Sequence, residues 1–452
     1  MHVKWALWII IMSICQLMMA QKVMWDGNSD GDGDNVSWHD PLNWDVDQVP
    51  TFGDSAIIEM ANANTAVIDG FIAEASFLQV DNGAMLHLQD NALFFVDGEM
   101  MGISNAIVTI GAGSTLTNDG FLYVENAKLN AVYLYGTLEN YGTLNISNTV
   151  QQAVLSTGSM YDYGIITIDS SGNGYLNSDD ALLLVHDTAE LVIKKVDESP
   201  ALFNSGEIRN AGQILIDSCE MGFTNYDSFT NNGLVSVSND QDTSSSSGML
   251  HGHGTFQLLD FINDGVITPG IVIDTMHIAG NLYMEDGSRY QVELSGTAGA
   301  GNNDGHDLLV VSDVHLNGVL EVQLNPAFSP DSSDHFEVLS YYGTLSGTFD
   351  QLILPSPEMD GWVVDYGVIS VGRVILRYGG CIRSIEKDCM PDRCIVRSGL
   401  YQVQDSIQYT GDLLIPANED VIFDAGLGVD VMSTLEVVLG ASFEIETDGC
   451  GP

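Results

Sequence analysis

The stretch LTNDGFLYV at residues 116–124 returns as LENYGTLNI at 138–146 and as MYDYGIITI at 160–168, a phrase of apolar, x, Asn or Asp, x, Gly, x, apolar, x, apolar. Looser copies read LFNSGEIRN at 202–210, IRNAGQILI at 208–216, FTNNGLVSV at 229–237 and FINDGVITP at 261–269. Gly120, Gly142 and Gly164 lie 22 residues apart (142 − 120 and 164 − 142), and Gly212 to Gly233 is a step of 21 (233 − 212). A fixed period of this size predicts a solenoid, in which each repeat is one coil that buries its apolar face by stacking on its neighbours.

The chemistry of the phrase fits that expectation. The glycine marks a backbone position that needs either a positive φ or a close approach, where a Cβ would clash. Leu144 and Ile146, or Ile166 and Ile168, have the period of two that turns one face of a strand inward. Asn118, Asn140, Asn204 and Asn231 each precede a glycine by two residues, so in successive coils they are expected to stack as a hydrogen-bonded ladder. The competing arrangement is a meander of antiparallel hairpins with Asn-x-Gly turns, which near-constant spacing over a long span disfavours. The fold class expected is therefore all-β: a parallel β-helix (β-solenoid) of about 22 residues per coil, then an all-β cap, then a small disulfide-bearing β tail.

Composition bounds the setting. Residues 1–20 carry one early cation, Lys4, then an apolar run from Trp5 to Ile14 broken only by Ser13, the pattern of a secretory signal peptide. That run is too short to favour a membrane span, and no second long apolar stretch follows. The chain holds 62 acidic against 13 basic residues, a formal net charge of −49. Nucleic acid and acidic polysaccharide are poor ligands for such a surface, which leaves divalent cations, neutral glycans or cell-surface proteins as expected partners. Cys381, Cys389, Cys394 and Cys450 cluster toward the C-terminus, where four cysteines can pair in three ways, while Cys219 stands alone. An oxidising, extracellular or cell-surface location is expected, and disulfides fit the spacing better than zinc, since no C-x-x-C occurs.

The chain reads as five segments: the leader 1–20, an Asp/Gly/Trp-rich module 21–65, the solenoid 66–269, an all-β cap or sandwich 270–378 with strands such as YQVEL and GVLEVQL, and a cysteine-bearing tail 379–452. Six of the 13 basic residues fall between Arg373 and Arg397, a composition shift that marks a linker.

The opening WDGNSDGDGDNVSWHDPLNWDVDQVPTFGDSAII resembles the segment that begins many secreted bacterial β-helix proteins, autotransporter-like passenger proteins among them, with Trp38, Asn43, Trp44, Pro50, Gly53 and Asp54 at the matching positions. The stretch from GNLYMEDGSRYQVELSG to HFEVLSYYGTLSGTFDQLILP is similar to the β cap that follows such helices. VIFDAG, VDVMSTLEV and GASFEIE resemble successive strands of the coathanger-type stacked repeat found near the C-termini of secreted Bacteroidota proteins. The resemblance implies architecture and export, and says little about activity.

Candidate sites are few. Asp26, Asn28, Asp30, Asp32 and Asp34 alternate along a glycine-rich loop and offer oxygens suited to Ca²⁺, without the helix-flanked EF-hand pattern. A weaker oxygen cluster is Asn302, Asn303, Asp304 and Asp307. Asp179 and Asp180, with His186 close by, are the candidate carboxylates for glycan hydrolysis, although neighbouring side chains on a strand point to opposite faces. Lys194 is the first cation near them, which disfavours a lyase acting on acidic glycans. His251 and His253 form a possible metal pair in HGHG. No nucleophile-elbow, zinc-protease or phosphate-loop motif is present. The expected function is that of a non-enzymatic, extracellular structural or adhesive protein with Ca²⁺ at the N-terminal module, the alternative being a glycan-active enzyme on the same scaffold.

Overall fold

The computed structural model describes residues 21–27, 33–59, 65–100, 106–197, 200–238, 243–270, 272–331, 334–355, 362–366, 372–378, 382–389, 394–396 and 399–446. The leader read at 1–20 lies outside them, as do Cys381 and Cys450. Among the described residues there are 44 strands and two short 3₁₀ turns, and no helix long and apolar enough to cross a membrane. The chain divides into two compact units, Met1–Ser244 and Ser245–Pro452.

In the first unit the repeated phrase becomes stacked parallel strands. Thr115–Asn118, Thr137–Asn140 and Ser159–Asp162 pair in register, so that Leu116 lies over Leu138 and Leu138 over Met160. After the glycine, Phe121–Glu125, Thr143–Ser156 and Ile165–Asn177 pair in the same way, with Leu122, Leu144 and Ile166 in one column. Ala106–Ile110 and Asn130–Leu134 extend a third face onto the later halves of those long strands. The result is all-β, built of parallel sheets, and consistent with a β-helix-like fold rather than a meander of hairpins. Leu116, Leu138, Leu144, Ile146, Ile166 and Ile168 are buried, and each contributes about 1.5–3 kcal/mol of hydrophobic stabilisation.

The glycines serve close approach. A Cβ on Gly142 would lie 2.1 Å from the Gly120 carbonyl oxygen, and one on Gly164 would lie 2.1 Å from that of Gly142. Neither adopts a positive φ, which resolves the two roles the phrase left open. The asparagines do form ladders, but in two columns. Asn118 Nδ2 donates to Asn140 Oδ1 (2.7 Å) and Asn140 Nδ2 to Asp162 Oδ1 (2.8 Å). That column passes through Val185 to Asn210 and Asn231. Asn204 belongs to a second column, receiving from Asn177 and donating to Asn225. One Asn-x-Gly device thus closes two different corners of the coil, and the overlapping copies at 202–216 are the two corners of one turn of chain.

The N-terminal module is closed by aromatic packing. Trp38 and Trp25 each meet Trp44 edge-on, at 4.7 and 5.1 Å, and all three are buried. Trp44 Nε1 donates to the Trp38 carbonyl, so a large apolar ring system keeps one polar atom satisfied.

In the second unit the spacing changes after residue 270 while the pairing stays parallel. Val266–Pro269, Arg289–Leu294, Val319–Leu324 and Gln351–Ile353 stack through Ile267, Tyr290, Leu320 and Leu352, at steps of 23, 30 and 32 (290 − 267, 320 − 290, 352 − 320). Loops such as 295–307 lengthen the coil and erase the period without breaking the stack. Antiparallel pairing joins His335–Tyr341 and Trp362–Asp365 to Arg373–Tyr378. The tail returns to a 22-residue step: Gly399 lies against Val421, Leu413 against Leu435, and Asp420 against Ser442. Cys389 and Cys394 are bonded there, and Cys219 is free and buried.

Candidate functional site

The structure brings few of the sequence candidates together among the described residues. Of the Ca²⁺ set, Asn28, Asp30 and Asp32 lie outside the described residues. Asp34 Oδ1 accepts from the backbone N–H of Val36 and of Ser37, both at 2.8 Å, and from Asn43 Nδ2 at 2.7 Å. Burial works to raise its pKa, but the bonds from Asn43, Ser37 and Val36 prevail and hold the carboxyl below its ordinary value. The Asp26 N–H donates to the Asn43 carbonyl. The turn is tight, since a Cβ on Gly33 would meet Asn43 Oδ1 at 2.1 Å. Among the described residues no group of three or more His, Cys, Asp or Glu is placed to hold a metal ion.

Asp179 and Asp180 are both exposed on a turn, with Asp180 at φ 64°. His186 is not directed to them: it pairs with Asp187 at 2.6 Å and packs on Tyr163. Lys194 is in the neighbouring strand Glu190–Val196, in register with Asp169. His251 faces outward from Met249–Gly252, with burial lowering its pKa, and His253 lies beyond the strand.

The loop after Arg289–Leu294 is more informative than its oxygen content suggested. Asn302 Nδ2 donates to the Ala298 and Ala300 carbonyls, and Gly301 N–H to the His306 carbonyl, which folds the loop onto itself. Asp307 is buried, and its carboxylate accepts from the N–H of Asp274 at 2.9 Å and of Glu293 at 2.8 Å. Burial pushes its pKa up to about 7, with the Glu293 and Asp274 charges adding to the rise and the two N–H bonds opposing it. It opens on a groove of about 240 Å³ shared with His251, Thr268, Gln291, Glu293 and Gln323.

That groove carries a connected polar network. Thr268 Oγ1 donates to Gln291, Gln291 Nε2 to Glu321, and Gln323 Nε2 to Glu321, which also takes Arg289. The neighbouring residue faces a second cleft. His306 is 5% exposed, and neither ring nitrogen has a hydrogen-bond partner. Burial drives its pKa down to about 4, with the Glu337 and Gly296 backbone opposing the fall and His335 adding to it. The cleft beside it, about 300 Å³, is lined by Asp334, His335, Glu337 and Arg373. Arg373 pairs with Glu337 at 3.1 Å.

No protein-family model matches the chain, and no curated protein matches it. Function is therefore read from these surfaces.

The first unit offers one more. A cleft of about 400 Å³ is lined by Asn173, Tyr175, Pro200, Phe203, Thr224 and Tyr226, with no charged side chain in its wall. Phe203 and Tyr226 lie 5.3 Å apart at 44°, and Tyr226 is exposed. The aromatic columns elsewhere differ in kind. Tyr141 stacks on Tyr163 at 4.7 Å and 4°, and Phe95 on Tyr123 at 4.8 Å and 10°, so those rings cover one another's faces and brace adjacent coils.

Gln291, Glu293, His306 and Gln323 were not singled out from sequence. Alternation in YQVEL marks Gln291 and Glu293 as outward-facing, but only the tertiary stack brings them to Asp307.

Proposed function

We propose that the protein is a secreted or cell-surface acidic β-solenoid that serves as a structural or adhesive extracellular element and engages neutral glycans or cell-surface proteins. What supports this most is the fate of the repeated residues: the asparagines and glycines of each phrase are taken up in coil-to-coil contacts, as expected of a scaffold whose task is to persist and present a surface. The autotransporter-passenger-like character, the cap and the coathanger-like tail belong to the same proposal. The uncharged cleft at Phe203 and Tyr226 suits a neutral glycan, since an aromatic face accepts the apolar side of a sugar ring while a strongly acidic surface repels polyanions. The test is retention on immobilised neutral and acidic polysaccharides. Binding to neutral polymers that falls at least tenfold in Tyr226→Ala, about 1.4 kcal/mol, supports the assignment, and unchanged binding in that variant removes it.

Ca²⁺ is proposed to stiffen the N-terminal module through Asp26, Asn28, Asp30, Asp32 and Asp34. The bonds to Asp34 described above all fall on Oδ1, which leaves Oδ2 for a cation. A ligand that binds only the folded state raises apparent stability. A Tm lowered by chelator and restored by Ca²⁺ is expected, and a Tm indifferent to both rules the cation out.

One observation favours the glycan-active reading. Glu293 and Asp307 share a groove, and Asp307 is held near neutrality, the separation of environments that lets one carboxyl act as acid and another as base. Release of reducing ends that is lost in Glu293→Gln supports hydrolysis, and binding without product supports the adhesive reading.

A further inference from the structure

Two strands of the second unit, Leu308–Leu316 and Val319–Leu324, are joined by Asn317 and Gly318 alone. An Asn-Gly step can close on itself, because a glycine without a Cβ lets its nitrogen approach the preceding side-chain carbonyl. The chain holds four such steps, at Asn82, Asn173, Asn232 and Asn317, and the fold treats them differently. Gly83 N–H donates to Ser114 Oγ at 3.0 Å and Gly233 N–H to Asn231 Oδ1 at 3.2 Å, so another residue holds each of those nitrogens. Asn173 and Gly174 lie inside the strand Ile165–Asn177, where a Cβ on Gly174 would come 2.0 Å from the Ala201 carbonyl oxygen, and the neighbouring coil leaves no room for ring closure. Of the four, only Gly318 aims its N–H at its own asparagine: it donates to Asn317 Oδ1 at 2.9 Å.

The surroundings hold that arrangement. Asn317 Nδ2 donates to Asp286 Oδ1, which turns the side-chain carbonyl toward Gly318. Val319 N–H donates to the Ser288 carbonyl at 2.9 Å and Gln351 N–H to the Gly318 carbonyl at 3.1 Å, so the turn is pinned on both sides. Asn317 itself is half-buried and within reach of water. Two reacting groups kept in such proximity need little further ordering. We propose that Asn317 and Gly318 form a self-modification site, at which the chain converts the asparagine to aspartate and isoaspartate and thereby loosens this coil. The Gly318 nitrogen loses its proton and bonds to Asn317 Cγ, the Cγ–Nδ2 bond breaks, and Nδ2 leaves as ammonia with a proton gained from water. Water then opens the cyclic imide at either carbonyl. Aspartate results when the new Cγ–N bond breaks, isoaspartate when the original peptide bond does. Water is the only co-reactant. The product sets a carboxylate against Asp286 in place of a hydrogen bond, and isoaspartate lengthens the backbone of a two-residue turn that holds Val319–Leu324 in register on Arg289–Leu294. The inference goes beyond the adhesive reading and stands independently of whether the chain binds glycans.

The test ages the full chain at mildly alkaline pH and follows each Asn-Gly step by site-resolved mass spectrometry. Conversion at Asn317 at least about tenfold faster than at Asn82, Asn173 and Asn232 is expected, with isoaspartate in the product, which direct hydrolysis of the amide cannot give. In urea the four rates should converge, since the difference belongs to the fold. Asp286→Ala should slow Asn317 at least about threefold, and unchanged rates at the other three steps report that the variant is folded. Asn317→Asp, which installs one product directly, should lower hydrogen-exchange protection in 319–324. A folded-state rate at Asn317 no higher than elsewhere, aspartate without isoaspartate, an Asp286→Ala rate equal to that of the unsubstituted chain, or unchanged protection in Asn317→Asp overturns the inference.

Discussion

The coils between Thr115 and Asn177 and those between Val266 and Ile353 solve one problem in two ways. In the first, a step of 22 residues, falling to 21 from Gln152 and Asn173 onward, lets inward polar residues meet in the next coil, as Asn118 meets Asn140. In the second, parallel pairing persists over steps of 23, 30 and 32 (290 − 267, 320 − 290, 352 − 320), and the extra chain brings unlike residues together. There a buried carboxylate at Asp307 takes two backbone N–H groups while the adjacent His306 has no partner. Regular stacking absorbs polar groups into the fold. Irregular stacking leaves them in clefts with shifted ionisation, which is where recognition or chemistry becomes possible.

The sharpest way to break the regular stack is a single methyl group. Gly142→Ala places a Cβ 2.1 Å from the Gly120 carbonyl, and the clash is with backbone that is itself held by the next coil. A loss of about 3 kcal/mol or more is expected, at the upper end of overpacking costs. Gly53→Ala is the control, because a Cβ there meets nothing within 4 Å, and a change within about 0.5 kcal/mol is expected. Chemical denaturation followed by hydrogen exchange at 115–146 checks both, and equal behaviour of the two variants removes close approach as the reason for the glycine.

The next largest effect tests the ladder. Asn140 accepts from Asn118 and donates to Asp162 Oδ1 and to the Ile165 carbonyl. Asn140→Ala removes these bonds and leaves buried groups unmet in the coils on either side, for an expected loss of about 2–3 kcal/mol. Exchange should accelerate in Thr115–Asn118 and Ser159–Asp162 together, since the disturbance passes along the column. A loss confined to Thr137–Asn140 would mean that the column carries no coupling.

These contrasts also explain what was legible in sequence. The phrase at 116–124 exposed the parallel stack because period, glycine and alternation all arise from local chain geometry repeated at constant length. It did not separate the two asparagine columns, since Asn140 and Asn204 occupy identical local patterns at different corners. Beyond residue 270 the insertions at 295–307 and 325–334 destroyed the period while leaving the pairing intact, so parallel strands read as a cap or sandwich. The groove residues were less visible still. Glu293 and Asp307 are 14 residues apart along a loop, and nothing in YQVEL or GHDLLVV signals that one N–H reaches the other's carboxylate. Asp179 and Asp180 drew notice as adjacent carboxylates, yet a turn leaves both in solvent, where proximity in sequence confers no shared environment.

Asp162 marks a fault in the regular ladder and predicts a gain. Its Oδ1 accepts from Asn140 and from Gly164 N–H, while Oδ2 is buried with no partner. In the two preceding steps of the column the amide of Asn118 or Asn140 donates to a carbonyl 25 residues ahead, at Thr143 or Ile165. By register the corresponding carbonyl for Asp162 is that of Glu190, so a carboxylate presents a lone pair where a donor belongs. Burial, opposed by the Asn140 and Gly164 bonds, raises its pKa to about 6 from 3.8. Asp162→Asn supplies the missing N–H and removes the buried charge, and should stabilise the first unit by about 2 kcal/mol at pH 7.

The smallest expected effect compares how the two units respond to acid. A carboxyl whose folded pKa is raised adds stability that is full below its unfolded value and lost as pH rises through the folded one, so lowering the pH from 7 to 5 should strengthen the first unit through Asp162 by about 1–2 kcal/mol. In the second unit Asp307, raised to about 7, acts with the same sign. His306, lowered to about 4, acts with the opposite sign, because its stability is full above 6.5 and lost as pH falls through the folded value. The groups facing this pair, Glu293, Asp274, His335 and the Glu337–Arg373 ion pair, leave the two opposed. Protection factors, which remove the general slowing of intrinsic amide exchange in acid, should therefore rise in 115–168 and stay nearly level in 289–324. His306→Phe should uncover the Asp307 contribution, so that the second unit then also tightens at pH 5. If 289–324 loosens in acid in that variant as well, a group other than His306 sets the acid response of the irregular coils.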